Sequence, residues 1–336
     1  MRVERGTGGP RLVRTPPSRP PGEHAVRVRV ELAGLCRSDL KEIAGRRYGV
    51  SQFGHEVVGV VEESTLDTLP PGSRVTLDPN VPVRRGTGFA TQMWVAGPAG
   101  RLTEALPVVP HEVTARRLVF TEPLACVWHC LAAASRHLGR DLDGARVAVL
   151  GAGTAGVLIA GLARAAGATV VLGNRSADRT AFVRERLDVA VRAMTELPSS
   201  DVDIAVVATS FVLPEVLSEA LRAVVPGGLV LLYGGTAPGD VLSGLDCGGT
   251  PVDLDTVRRG ETAVRADWRG MPVTIGGSYG TVAEDFTAAV RALVDLDPGV
   301  LPVERLITSE VRLADLPEVL RAQVSGRPLG KTLVRP

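Results

Sequence analysis

Gly151-Ala152-Gly153-Thr154-Ala155-Gly156 narrows the folds open to this chain more than any other stretch, because of what stands on either side of it. Before it, Arg146-Val147-Ala148-Val149-Leu150 is a short apolar run expected as a buried strand; after it, Ala155 to Ala166 is expected as a small-residue helix closed by Gly167. In a chain with 38 glycines a G-x-G-x-x-G pattern alone means little. Between a strand and a helix it predicts a phosphate cradle. Gly151 permits the tight turn, Gly153 lets the backbone approach a pyrophosphate, and Gly156 allows close helix packing. Thr154 and Ala155 open the helix, whose N-terminus faces the negative charge. A dinucleotide is the expected ligand.

Further short apolar runs at Thr169 to Leu172, Ile204 to Ala208, Leu229 to Tyr233 and Val273 to Ile275 read as strands, with helices near 178–187 and 213–224 between them. Strands alternating with helices predict an α/β unit with a doubly wound parallel sheet. The first hundred residues read differently. His24 to Leu32 alternates apolar and charged side chains, and Val57 to Val61 and Arg74 to Leu77 repeat the pattern, with Gly and Pro clusters at 7–10, 16–22 and 70–72 as turns. That is the period of half-buried strands in a mostly β, barrel-like unit. A helix near 313–325 and the strand-like Lys331 to Val334 are expected to return to it.

The end of the second strand of the α/β unit reads Gly173-Asn174-Arg175-Ser176, with Arg179 one turn later. An NAD site places a carboxylate near here for the ribose hydroxyls. Small polar residues and guanidinium groups suit a 2′-phosphate instead, so NADP(H) is expected over NAD(H), with Asp178 as the acid that would serve NAD. Thr209, Ser210 and Tyr233-Gly234-Gly235 fall at strand ends where a nicotinamide amide finds partners.

A second constellation lies upstream. Cys36, in Gly34-Leu35-Cys36-Arg37-Ser38-Asp39, stands eighteen residues before Gly54 of Gly54-His55-Glu56, and Glu122 lies in Thr121-Glu122-Pro123-Leu124-Ala125-Cys126. Each has an ordinary explanation alone: a buried thiol, a core histidine, a glutamate at a helix N-terminus. Together they offer the S, N and O donors of a catalytic zinc site with one open position. Tyr48, Phe53, Trp94, Cys126 and His129 are candidates to line a cleft or pack beside it.

Composition sets the outer limits. With 336 residues, 45% hydrophobic side chains and a net charge of +1, the chain has room for two globular domains. There is no basic block, and aromatics make up only 4%, so nucleic acid is not an expected partner. No apolar run approaches the roughly 18 residues that span a bilayer, so no membrane partner and a cytoplasmic location are expected. Cys36, Cys126, Cys130 and Cys247 contain no C-x-x-C pair, which excludes a four-cysteine structural zinc lobe and argues against a disulfide framework. The only lysines among many arginines are Lys41 and Lys331, a bias of GC-rich genomes.

These motifs resemble the medium-chain dehydrogenase/reductases, in the zinc-dependent alcohol, sorbitol and threonine dehydrogenase branch. Gly34 to Asp39 matches G-x-C-x-[ST]-D, Gly54 to Glu56 matches G-H-E, and Gly72-Ser73-Arg74-Val75 matches G-D-R-V with Ser for Asp. Gly88-Phe89-Ala90, Glu122-Pro123-Leu124-Ala125, Gly277-Ser278-Tyr279-Gly280 and Gly330-Lys331 extend the similarity along the chain. The resemblance implies a GroES-like catalytic domain at 1–118 and 284–336 and a Rossmann domain at 119–283. It implies that Cys36, His55 and Glu122 hold one catalytic Zn²⁺, with Glu56 as an adjacent carboxylate able to ligate. Ser38 is implied to bridge the substrate oxygen to a proton relay, Asp39 to orient the histidine, and Lys41 to stand at the outer end of that relay. A homodimer or homotetramer acting on a polyol, sugar or cyclitol is implied, and with the arginine-rich composition a place in aminoglycoside-type secondary metabolism. The alternatives are a zinc-free quinone or enoyl reductase of the same fold, and an inactive dinucleotide-binding partner protein.

Overall fold

The computed structural model describes residues 1–20, 24–46, 51–326 and 328–336, so Tyr48 lies outside the described residues. The chain divides into two compact units, one of Met1–Ala125, Ala283–Leu296 and Val303–Pro336, the other of Cys126–Val282 and Asp297–Pro302.

The first unit is built on a sheet in which the strands Ile307–Arg312, Lys331–Arg335, His24–Leu35, Glu56–Ser64 and Arg74–Thr76 lie side by side. Gln92–Gly97 also pairs with His24–Leu35, and Arg84–Arg85 pairs with Gln92–Gly97. In the long strand the alternation read from the sequence turns Val26, Val28 and Val30 inward onto Val57, Val61, Val75, Phe89 and Met93. Near its end the alternation stops, and Ala33, Gly34 and Leu35 are all buried. There it is sandwiched between neighbours: Gly34 stands opposite Glu56 on one side and Leu333 on the other. The last strand of the chain therefore flanks the segment that delivers Cys36.

In the second unit Val191–Ala193, Thr169–Asn174, Arg146–Leu150, Val202–Val207, Val224–Leu232 and Met271–Gly277 form six parallel strands in that order. Helices Thr154–Ala165, Ala177–Arg186 and Pro214–Ala223 separate them in sequence. Leu150, Val207, Leu232 and Ile275 are fully buried, as central parallel strands require. The sheet is not wholly parallel, however. Ala263–Trp268, Leu245–Cys247 and Thr250–Pro251 extend it antiparallel. The cause is local: Arg269 (φ 54) and Gly270 (φ 88) both adopt the left-handed region between the paired residues Trp268 and Met271. Two such residues make the tight turn of a hairpin. Among the described residues no helix is long and apolar enough to cross a membrane.

Candidate metal and coenzyme sites

Cys36 follows directly on the long strand of the first unit and stands at the N-cap of the helix Arg37–Ile43. Three residues on, the buried Asp39 carboxylate accepts the Cys36 N–H through Oδ2 at 2.8 Å and the Gly54 N–H through Oδ1 at 2.9 Å. One carboxylate thus ties the thiol segment to the imidazole segment. Gly54 is confined to its identity twice over: its φ is +64, and a Cβ there would lie 2.6 Å from Thr87 Oγ1 and 2.8 Å from the Phe89 nitrogen. The Gly88 N–H donates to the Gly54 carbonyl at 2.9 Å, which is the physical link between the Gly54-His55-Glu56 and Gly88-Phe89-Ala90 motifs.

His55 is buried, with Nδ1 2.7 Å from the Gln52 carbonyl oxygen and 3.5 Å from Asp39 Oδ1. The carbonyl is the closer acceptor, so Nδ1–H donates there and Nε2 is left as a lone-pair donor. Asp39, expected to orient the histidine, lies beside the same nitrogen as a more distant second partner. Nε2 stands 3.4 Å from Ser38 Oγ and 3.8 Å from Glu122 Oε1. The ligand atoms of Cys36, His55 and Glu56 all lie within 4.8 Å of one another. Burial opposes protonation of His55, but Glu122, then Asp39 and Cys36, outweigh it and hold its pKa well above the ordinary value. Acidic groups that favour positive charge at a buried imidazole make a pocket suited to a cation. The thiolate, imidazole and carboxylate donors fit zinc.

Glu56 is engaged on its other side. Its carboxylate forms an ion pair with Lys331 Nζ, and both side chains are buried. Burial disfavours the ammonium, but Glu56 and then Cys36 raise the Lys331 pKa above its usual value. Sequence reading noted Lys331 without a role for it. Glu42 was missed altogether: its carboxylate accepts Ser51 Oγ at 2.8 Å and the Gln52 N–H at 2.7 Å, fixing the loop whose carbonyl orients His55. Lys41, half-buried on the same helix, accepts the Arg46 N–H through its carbonyl at 2.8 Å. Phe53 packs edge-on against Phe89, with ring centroids 4.9 Å apart, and is core rather than cleft lining. Trp94 is buried with Ala25 and Ala96 and lies under Arg27.

In the second unit Gly151 and Gly156 are confined by their surroundings and Gly153 is not. Gly151 has φ +119, and a Cβ there would meet the Ala208 backbone at 2.9 Å; a Cβ on Gly156 would lie 1.7 Å from the Gly151 carbonyl oxygen. Gly153 opens the helix Thr154–Ala165, and nothing lies within 4 Å of where its Cβ would stand. That open face is the one a pyrophosphate needs. Asn174 accepts the Ala152 N–H through Oδ1 at 3.3 Å, so it braces the glycine turn. Ser176 caps the helix Ala177–Arg186 by accepting the Arg179 N–H at 3.4 Å. Arg175 is exposed and pairs with Glu215 at 2.8 Å. Thr209 Oγ1 donates to the Phe211 carbonyl at 2.7 Å, and Gly234 is held against Thr209, whose oxygen would lie 2.5 Å from an added Cβ. His129 is buried, its Nε2 2.6 Å from Glu261 Oε1. Among the described residues no disulfide joins the four cysteines.

Residues 22–116 match the alcohol dehydrogenase GroES-like domain family, and residues 132–228 match the shikimate / quinate 5-dehydrogenase family. Glucose 1-dehydrogenase 1 of Caldivirga maquilingensis is 30% identical over 240 residues, 63% of this chain and 68% of that protein. The chain belongs to the medium-chain dehydrogenase/reductase superfamily. Within this superfamily it is also 30% identical to sorbitol dehydrogenase of Halalkalibacterium halodurans over 201 residues, 53% of this chain and 57% of that protein. The chain spans about half the length of several of the curated relatives it matches. Galactitol-1-phosphate dehydrogenase from Escherichia coli shares the fold, with a TM-score of 0.74 at 21% identity, covering 99% of each chain. A Rossmann domain and a GroES-like domain, as the motifs implied, account for the two kinds of sheet.

Proposed function

We propose that this medium-chain dehydrogenase/reductase is a zinc-dependent oxidoreductase that interconverts a secondary alcohol and a ketone on a polyol, sugar or cyclitol, with NADP(H) preferred over NAD(H). The observation that carries the reading is the gathering of Cys36, His55 and Glu56 ligand atoms within 4.8 Å, with Glu122 facing His55 Nε2. Held by Cys36, His55 and Glu122, Zn²⁺ would supply the Lewis acidity that polarises a carbonyl oxygen or acidifies an alcohol. Glu56, neutralised by Lys331, serves as the neighbouring carboxylate. Ser38, whose Oγ lies 3.4 Å from His55 Nε2, hydrogen-bonds the substrate oxygen and passes its proton on towards solvent, with the Lys41 ammonium on the same helix at the outer end of that relay. The Gln52 carbonyl, with Asp39 3.5 Å from the same ring nitrogen, keeps the imidazole in the tautomer whose Nε2 can donate its lone pair.

The coenzyme preference rests on the absence of a carboxylate in Gly173-Asn174-Arg175-Ser176 and on the guanidinium groups of Arg175 and Arg179. The Arg175–Glu215 pair is exposed on both sides, so a 2′-phosphate can displace it cheaply. Assembly as a homodimer or homotetramer and service in secondary metabolism belong to the same reading; they rest on the superfamily and on the arginine-rich composition.

Initial rates over a panel of polyols, inososes and aminocyclitols with both coenzymes test the proposal. A kcat/KM roughly tenfold or more higher with the 2′-phosphorylated coenzyme is expected. A clear preference for NAD(H) would overturn the coenzyme assignment, and no turnover with any alcohol or ketone would overturn the activity.

A further inference from the structure

The carboxyl ends of the parallel strands in the second unit carry two arginines that the glycine cradle does not use. Arg258 lies near the end of the short helix Leu254–Arg259, and its Nε donates to the Tyr233 carbonyl at 3.2 Å, just past the strand Val224–Leu232. Its guanidinium carbon stands 5.0 Å from the centroid of the Tyr279 ring, just past the strand Met271–Gly277. Gly277 makes this approach possible, because a Cβ there would lie 2.1 Å from the Val257 carbonyl oxygen and 2.6 Å from Arg258 Cα. Arg259 approaches the same ring at 5.3 Å.

The nearby acids take partners other than Arg258, one of them Arg259. Asp255 Oδ1 accepts from Thr236 Oγ1 at 2.7 Å and from Arg259 Nε at 3.0 Å. Glu261 Oε1 is 2.6 Å from His129 Nε2 and accepts the Tyr279 N–H at 3.0 Å. Glu261 sits at φ 50, a left-handed conformation that costs energy in a residue with a side chain and is held by those two partners. The Cys130 thiol, pushed up to about 12 by burial, stays neutral and offers no counter-charge. Among the described residues, no carboxylate forms an ion pair with Arg258. Burial, with Arg259 beside it, pulls its pKa below the ordinary guanidinium value against the opposing effects of Tyr279, Tyr233 and Asp255. A half-buried guanidinium short of an anion, with a second arginine beside it, has the donor set of an anion-binding fork.

We propose that Arg258 and Arg259, beside the exposed Tyr279, form a subsite for an acidic substituent, a phosphomonoester or a carboxylate, on the molecule that exchanges hydride at this sheet edge. The inference rests on the reading above that a nicotinamide coenzyme works at these strand ends, since its reaction partner must then lie against the same edge. It narrows the substrate to an anionic polyol or sugar derivative.

The test is calorimetric titration of the NADP⁺-loaded protein with D-sorbitol, D-sorbitol 6-phosphate and D-gluconate, in the wild type and in Arg258→Met and Arg258→Lys. At least one anionic probe should bind roughly tenfold or more tightly than sorbitol. That ratio should fall towards one in Arg258→Met and be largely retained in Arg258→Lys. Whichever probe carries the preference tells phosphate from carboxylate. Equal binding of all three probes by the wild type, or a preference that survives Arg258→Met, would overturn the inference. Should Arg258→Met fail to fold, Arg259→Met decides on the same ratio, which must fall for the subsite to stand. Because the readout is binding, a protein that binds the anion and turns over nothing sinks the functional reading alone. Turnover of neutral polyols with no anion preference sinks this inference alone.

Discussion

Lys331 and Glu56 form an ion pair buried on both sides, with the Glu56 carboxylate pressed against the face of Gly34. Three neighbouring strands create it: Gly34 is opposite Glu56 in one register and opposite Leu333, two residues from Lys331, in the other. Gly34 is required because a Cβ there would lie 2.1 Å from Glu56 Oε2. The pair lets two carboxylates, Glu56 and Glu122, stand near one imidazole without both charges going uncompensated.

Removing one partner of a buried pair leaves the other charge stranded, at a cost of about 3–5 kcal/mol. Lys331→Met should therefore lower the free energy of unfolding by about that amount, and adding Glu56→Gln should recover part of it. Urea unfolding of the two variants measures this. A Lys331→Met protein as stable as the wild type would contradict the pairing.

The glycine cradle makes a paired prediction. Gly153→Ala places its methyl in open space at a φ of −77 that alanine adopts freely, so the protein should keep its Tm and lose coenzyme affinity. Gly156→Ala drives a methyl to 1.7 Å from the Gly151 carbonyl oxygen, so it should lose both stability and coenzyme binding. Thermal unfolding together with coenzyme fluorescence titration separates the two outcomes. Unchanged affinity in Gly153→Ala would show that the pyrophosphate does not lie there.

Much of this was legible in the sequence because it is local. The strand, glycine turn and helix around Gly151 are one continuous segment, as are the end of the long strand and the helix that carry Cys36, Ser38 and Asp39. What stayed hidden depends on register between distant strands or on backbone groups. Lys331 reaches Glu56 only because the last strand pairs with the long one, and the Gln52 carbonyl that orients His55 is placed by Glu42 through a loop. The antiparallel extension was missed because the alternation in Ala263–Trp268 is short, and its turn begins with Arg269, a residue that rarely takes a positive φ. Asn174, expected among the polar residues that suit a 2′-phosphate, also braces the glycine turn through its side chain.

Asp255 carries a pH dependence. Burial would raise its pKa, but hydrogen bonds from Thr236 and Arg259 outweigh it and lower the value. A carboxylate with a lowered folded-state pKa contributes stability that is fully present above the unfolded value, about 3.9, and is lost as pH falls through the folded one. Asp255→Asn should therefore reduce Tm at pH 7, and its deficit relative to the wild type should shrink below about pH 4. A deficit that stays constant from pH 7 to pH 3 would contradict the assignment.

Zinc content measured alongside turnover tests most directly whether the chain's chemistry rests on one metal held by Cys36 and His55. Elemental analysis of protein purified without chelator should find about one zinc per chain. Cys36→Ser and His55→Ala should each lose the metal and the turnover while retaining coenzyme binding by fluorescence. Wild-type protein free of zinc, with turnover indifferent to chelator, would contradict the account.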